Sequence, residues 1–149
     1  MAIQTRSPGT VTQTDDFANG IETWFEIDNV KASDDTSASV SATDISFAIR
    51  CEDFGFTIPT GSTINSITVE VEGKTDVTFS ACVYQSKLLK AGALVGSFGL
   101  LSLITDTDTV IDISDALNPL WGTTWTAAQI NDAEFGVCIN CDQFIGEEQ

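Results

Sequence analysis

The 149-residue chain has no histidine, three prolines, one methionine and one tyrosine, and its six Lys and Arg residues face 22 Asp and Glu. Each shortage excludes something. Without histidine, the commonest general base and the commonest metal ligand are both missing. A net charge of −16 repels phosphate backbones, because nucleic-acid binding depends on Lys and Arg neutralising them. No Gly-rich loop stands between a strand and a helix pattern, so no phosphate cradle is predicted. These absences lead us to expect no enzyme, no catalytic residue, no cofactor and no nucleic-acid partner.

Long apolar runs are missing as well. The nearest candidate, Leu88 to Ile104, is interrupted by Lys90, Gly92, Gly96 and Gly99. It is shorter than the ~20 residues a spanning helix needs, and glycines at this density suit strand ends and turns. We expect sheet and loop there, and a soluble protein with no membrane partner. The N-terminal MAIQTRSPGTVTQT lacks an apolar core, so no secretory signal is expected.

Strand alternation dominates what is present. Ile67, Val69 and Val71 point one way while Thr68, Glu70 and Glu72 point the other, the pattern of a half-buried strand. Similar alternation predicts strands over Thr23–Asp28, Ile45–Arg50, Val77–Val83, Leu88–Val95, Val110–Ser114 and Phe135–Cys141. Gly73 to Asp76 reads as a hairpin connection. One short helix is predicted over Thr126–Asn131, capped by Thr126. Residues 1–22, rich in Thr, Ser, Gly and Pro, read as an N-terminal arm or tail, and residues 23–149 as a single domain. Many short strands with almost no helix predict an all-β fold, a β-sandwich of jelly-roll type.

Three groups of residues are candidates for chemistry. Cys138 and Cys141 form a CxxC, but Cys51 and Cys82 supply no second close pair, so a four-ligand zinc site is not predicted. On an extended strand, residues three apart face opposite sides. Cys141 is expected on the core face and Cys138 outward, with Cys82–Cys138 or Cys51–Cys141 contacts open and free thiols expected. The acidic clusters Asp15-Asp16, Asp34-Asp35 and Asp106, Asp108, Asp112 and Asp115 lack the spacing of a calcium loop and read as solvated carboxylates. No metal is assigned. Trp24, Trp121, Trp125 and Tyr84 would serve sugar stacking only if exposed on one face, and core packing is expected instead.

Two segments carry a resemblance: FGFTIPTGSTINSITVEVEG (Phe54 to Gly73) and LWGTTWTAAQINDAEFGVCI (Leu120 to Ile139). Their Ile-Pro-x-Gly and Trp-Gly-x-x-Trp-Thr cores, in this order and at this separation, resemble a family of small all-β structural proteins of tailed bacteriophages. The similarity covers roughly residues 24 to 141. It implies a virion component made in the host cytoplasm, and the acidic charge places it outside the shell, away from packaged DNA. The implied role is a capsid decoration or cement protein bound to the major capsid protein or other virion proteins, as a homo-oligomer, a trimer suiting the local three-fold positions of a shell. The resemblance equally admits a tail, tail-tip or fibre component; outside this class, a carbohydrate-binding module is the alternative. That family continues past the strand ending near Cys141 to a further strand, so an open sheet edge is expected there, covered by another subunit.

Overall fold

The structure, a computed structural model, describes residues 3–18, 20–32, 37–40, 45–74, 81–100, 102–104 and 107–144, with the side chains of 81–82, 102–104 and 142–144 left out. The fold is all-β with one short α-helix. In chain order the elements are β1 (Thr10–Thr14), a 3-10 helix (Ile27–Lys31), β2 (Ala48–Glu52), β3 (Glu70–Gly73), β4 (Ala81–Lys90), β5 (Ala93–Val95), β6 (Ser102–Ile104), β7 (Thr109–Asp112), α1 (Ala127–Asn131) and β8 (Gly136–Phe144).

The larger sheet runs β1-β2-β8-β4-β5, with β6 also on β4, and every pairing is antiparallel. A two-stranded ribbon, β3 with β7, forms the second sheet. These registers define a sandwich-like pair of sheets and do not extend to a jelly-roll winding. Among the described residues no helix is long and apolar enough to cross a membrane. The Leu88–Ile104 stretch instead holds the end of β4, a two-residue turn, β5 and β6. That turn places Ala91 and Gly92 at φ 51 and 81, the paired positive angles of a type I′ hairpin.

Register assigns the two faces of the large sheet. One face carries Val11, Ile49, Cys51, Val137, Ile139, Tyr84 and Leu88. It packs against Trp121, Trp125, Ile130 and Phe135, with Phe54, Phe56 and Ile67 around them. The ribbon closes the other end of this face, where Val71 and Ile111 pack with Tyr84 and Ile113. The opposite face carries Arg50, Cys138 and Lys87 in one cross-strand row.

Several expectations change. Thr23–Asp28 alternates but is not a strand: Glu26 takes a left-handed φ of 56 and the chain turns into the 3-10 helix, with isolated bridges from Glu22 to Ser46 and from Phe25 to Ser39 among the described residues. Residues 10–14, read as part of an arm, form the edge strand β1 on β2 of the same chain. Of the alternating stretch up to Gly73, only Glu70–Gly73 has a strand partner. Ile67 and Val69 bond to a loop instead, through Ile67 N–H to Pro119 O and Val69 N–H to Ser114 Oγ. β8 lies between β2 and β4 over Gly136–Ile139, and beyond Cys141 its strand partner among the described residues is β4. The expected Val77–Val83 strand lies partly outside the described residues; its end, from Ala81, opens β4.

Candidate functional site

The two segments that carry the family resemblance are brought together. Ile58 and Asn131 exchange two hydrogen bonds: Ile58 N–H donates to Asn131 Oδ1 at 2.8 Å, and Asn131 Nδ2 donates to Ile58 O at 2.9 Å. Ile67 N–H reaches Pro119 O at 2.9 Å, and Trp121 Nε1 donates back to Ile67 O at 2.9 Å. Phe54 and Phe56 flank Phe135, and Trp125 meets Phe135 edge-on with ring centres 5.3 Å apart, a favoured aromatic geometry. The first block therefore has its outward polar groups on solvent, with the backbone of Ile58 and Ile67 tied to the second block. The helix inside the second block begins as expected: Thr126 Oγ1 accepts from Gln129 N–H and Gln129 Oε1 accepts from Thr126 N–H, a capping box.

The tryptophans serve this junction. Trp121 is fully buried, Trp125 is 7% exposed and Tyr84 6% exposed. Trp24 is half-buried and donates from Nε1 to Phe47 O. Trp121 holds a left-handed φ of 60, rare for a bulky residue, and is kept there by the Ile67 bond and close packing. Lys90 lies over the Trp125 ring at 4.7 Å and donates to Thr124 O at 2.6 Å. Two shallow clefts flank the junction. One, of about 440 Å³, lies between Thr60-Gly61 and Thr126–Asp132. The other, of about 390 Å³, lies between Asn65 and Asn118–Thr124. Their polar walls are amides and hydroxyls, with one carboxylate, Asp132, and no aromatic face is offered to a ligand.

A second constellation sits on the opposite face of the sheet, and the sequence reading missed it. Asp16, in the turn after β1, accepts from Arg50 Nε and Nη2 at 3.1 and 3.0 Å and from the Cys138 thiol at 2.9 Å. Arg50 also pairs with Glu52 at 3.7 Å. Cys138 is fully buried, which corrects the outward orientation expected for it. Strand parity does point Cys138 away from Val137 and Ile139, but β8 is central and the Asp16 turn covers that face too.

Burial by itself raises the Asp16 carboxyl, yet the Cys138 and Arg50 bonds outweigh it and hold it below the ordinary 3.8. Burial would lower Arg50, and its bond to Asp16 raises it instead. Burial raises Glu52; Arg50 offsets part of this, while Glu134 and Asp16 add to it. The Cys138 thiol is pushed far up by burial and then by its carboxylate acceptor. Burial pushes Cys51 up to about 12. Both thiols are protonated at neutral pH, whereas a reactive cysteine needs the thiolate. The cluster is a clasp, not a nucleophile.

The remaining cysteine expectations resolve on register. Cys51 and Cys138 are free thiols. Cys51 stands opposite Val137, four residues from Cys141, about 13 Å along the strand and beyond disulfide reach. Cys82 stands opposite Gln143, five residues from Cys138, and its side chain lies outside the described residues. Of the acidic clusters, Asp34-Asp35 and Asp106 lie outside the described residues. Asp15 accepts from Gly20 N–H, Asp112 from Ser114 N–H, and Asp115 from Leu117 and Asn118 N–H. The Ser97 hydroxyl, foremost, holds Asp115 below its usual range. These carboxylates shape turns, and Asp108 is exposed. Among the described residues no three acidic, cysteine or histidine side chains converge as a metal site.

Searches against protein-family models, curated proteins and solved structures find no match for this chain.

Proposed function

We propose that this chain is a structural protein of a tailed-bacteriophage virion, a decoration or cement protein on the outer capsid surface that works by contact rather than by catalysis. The observation that carries the reading is the interlocking of the two resemblance segments. Their matching positions, Ile58, Ile67, Trp121, Asn131 and Phe135, meet in one bonded junction, as a shared structural unit requires. Its partners are the major capsid protein or other virion proteins.

Cementing is a linkage effect. A protein that binds assembled shell but not free subunits stabilises the shell in proportion to the logarithm of its concentration over Kd. The acidic surface suits the outer side, where packaged DNA does not repel it. Burial of Trp121, Trp125 and Tyr84 weighs against the carbohydrate-binding alternative, which needs an exposed stacking face. A tail, tail-tip or fibre location remains the second reading within the virion class.

The test is cosedimentation of purified protein with shells emptied of DNA, set against unassembled capsid subunits. Saturable binding to shells alone, with a rise in the shell's disruption temperature, supports cement. Equal binding to both, or to neither, removes it.

A further inference from the structure

We propose that the N-terminal strip, residues 3–14, is exchangeable between copies: in the assembled protein it seats on β2 of a second chain, and that chain's strip seats on β2 of the first. This goes beyond the virion reading and is independent of it.

The strip's seat depends little on which chain supplies it. Its bonds are mostly backbone: five residue pairs from Thr10–Glu52 to Thr14–Ala48, and Gly9 N–H to Glu52 O and Asp53 O. Gln4 adds a two-way side-chain bond to Thr57, and Val11 alone enters the core. The same contacts form equally well from a neighbouring chain, which is the condition for strand exchange. The seat also has to be filled. Without β1, the edge of β2 exposes a row of unpaired backbone groups beside the apolar core, a template for another strand.

The connection out of the strip is tight. Ala18 holds a left-handed φ of 61, an unfavourable state for a residue with a Cβ. Ala18 N–H bonds Asp15 O, and Gly20 N–H bonds Asp15 Oδ1. Gly20 is pressed so close to Phe47 that a Cβ there would lie 2.7 Å from its Cα. Short hinges under strain favour exchange, since an extended connection releases the strain while every seat contact is kept. Ile21, directly after this turn, is 62% exposed; in a two-fold exchange the two hinges run side by side and cover it. Asp16, just beyond β1, travels with the strip, so its clasp to Arg50 and Cys138 would lock the seat across the chain boundary.

The register supplies the test. Val11 stands opposite Cys51, at a separation where an antiparallel pair can be bridged. Val11→Cys chains, labelled with 14N and 15N and refolded together, are oxidised with diamide, which takes up the two electrons and two protons that the thiols release. The expected result is a covalent dimer whose 11–51 peptide carries both isotopes. An 11–51 bridge found only within single chains overturns the proposal. Should Val11→Cys fail to fold, Gln4→Cys with Thr57→Cys, joined by a short bismaleimide at high dilution, reads the same distinction at a less buried site. Ala18→Gly relieves the hinge and is expected to lower the dimer fraction several-fold; an unchanged fraction counts against the hinge. No virus particle enters these experiments, so their failure leaves the virion reading standing.

Discussion

The two faces of the large sheet are held by different physics. The apolar face is sealed by two tryptophans and a phenylalanine cluster, with Lys90 over the Trp125 ring. On the opposite face Arg50 is shared among carboxylates, with a buried thiol donating to Asp16. Burial of large apolar side chains is non-directional and involves no proton that titrates. A charge clasp is directional and depends on protonation. The first face fixes the fold; the second ties the turn after β1 to β2 and β8.

The largest test of that contrast is Trp121→Ala. Deleting a fully buried indole should cost about 3–5 kcal/mol, read as a fall in the urea midpoint that is the same at pH 5 and pH 8. Next is Arg50→Met, expected to cost about 2 kcal/mol at neutral pH and, unlike Trp121→Ala, to cost less as acid protonates its partners. Equal pH dependence for the two variants would break the comparison.

The titrations have definite signs. The folded Asp16 carboxyl lies below 3.8, so its contribution is present above that value and is lost as pH falls through the folded value. Glu52 is raised above 4.5, so its native state holds the proton longer and stability falls as pH rises through that region. Asp16→Asn should therefore flatten the acid limb, whereas Glu52→Gln should steepen it. At the alkaline end, Cys51 rises from 9.0 to about 12. The unfolded chain releases that proton first, and stability should fall above pH 9 by up to about 1.4 kcal/mol per pH unit for each buried thiol. Cys51→Ala should lessen that slope in a pH series of denaturant midpoints. The smallest expected effect is Thr126→Ala, about 1 kcal/mol from loss of the capping box, with the sheet registers unchanged by amide exchange.

Local signals in the sequence were legible where one element decides the outcome. The capped helix at Thr126 and the glycine-broken Leu88–Ile104 segment follow from residue type and spacing, and the inward Trp121 and Trp125 from the resemblance. What was not legible depends on partners distant in sequence. Alternation in Thr23–Asp28 says one face is apolar, but among the described residues Phe25 makes an isolated bridge to Ser39 and the chain turns at Glu26. Ile67 and Val69 alternate correctly yet meet the Pro119–Trp121 loop and Ser114. Cys138 reads as outward because alternation shows parity, not what covers each side; its cover, Asp16, is 122 residues away. One hint was available: Arg50 is a lone cation on an otherwise apolar-alternating strand in a chain of net charge −16, and a partly buried cation needs anions beside it.

The most direct test of the functional account is the copy number of this chain in purified phage particles, by quantitative mass spectrometry against the major capsid protein. The account predicts hundreds of copies per particle, in fixed proportion to the capsid protein. A handful of copies would move the protein to the tail, and its complete absence from particles would contradict the virion reading itself.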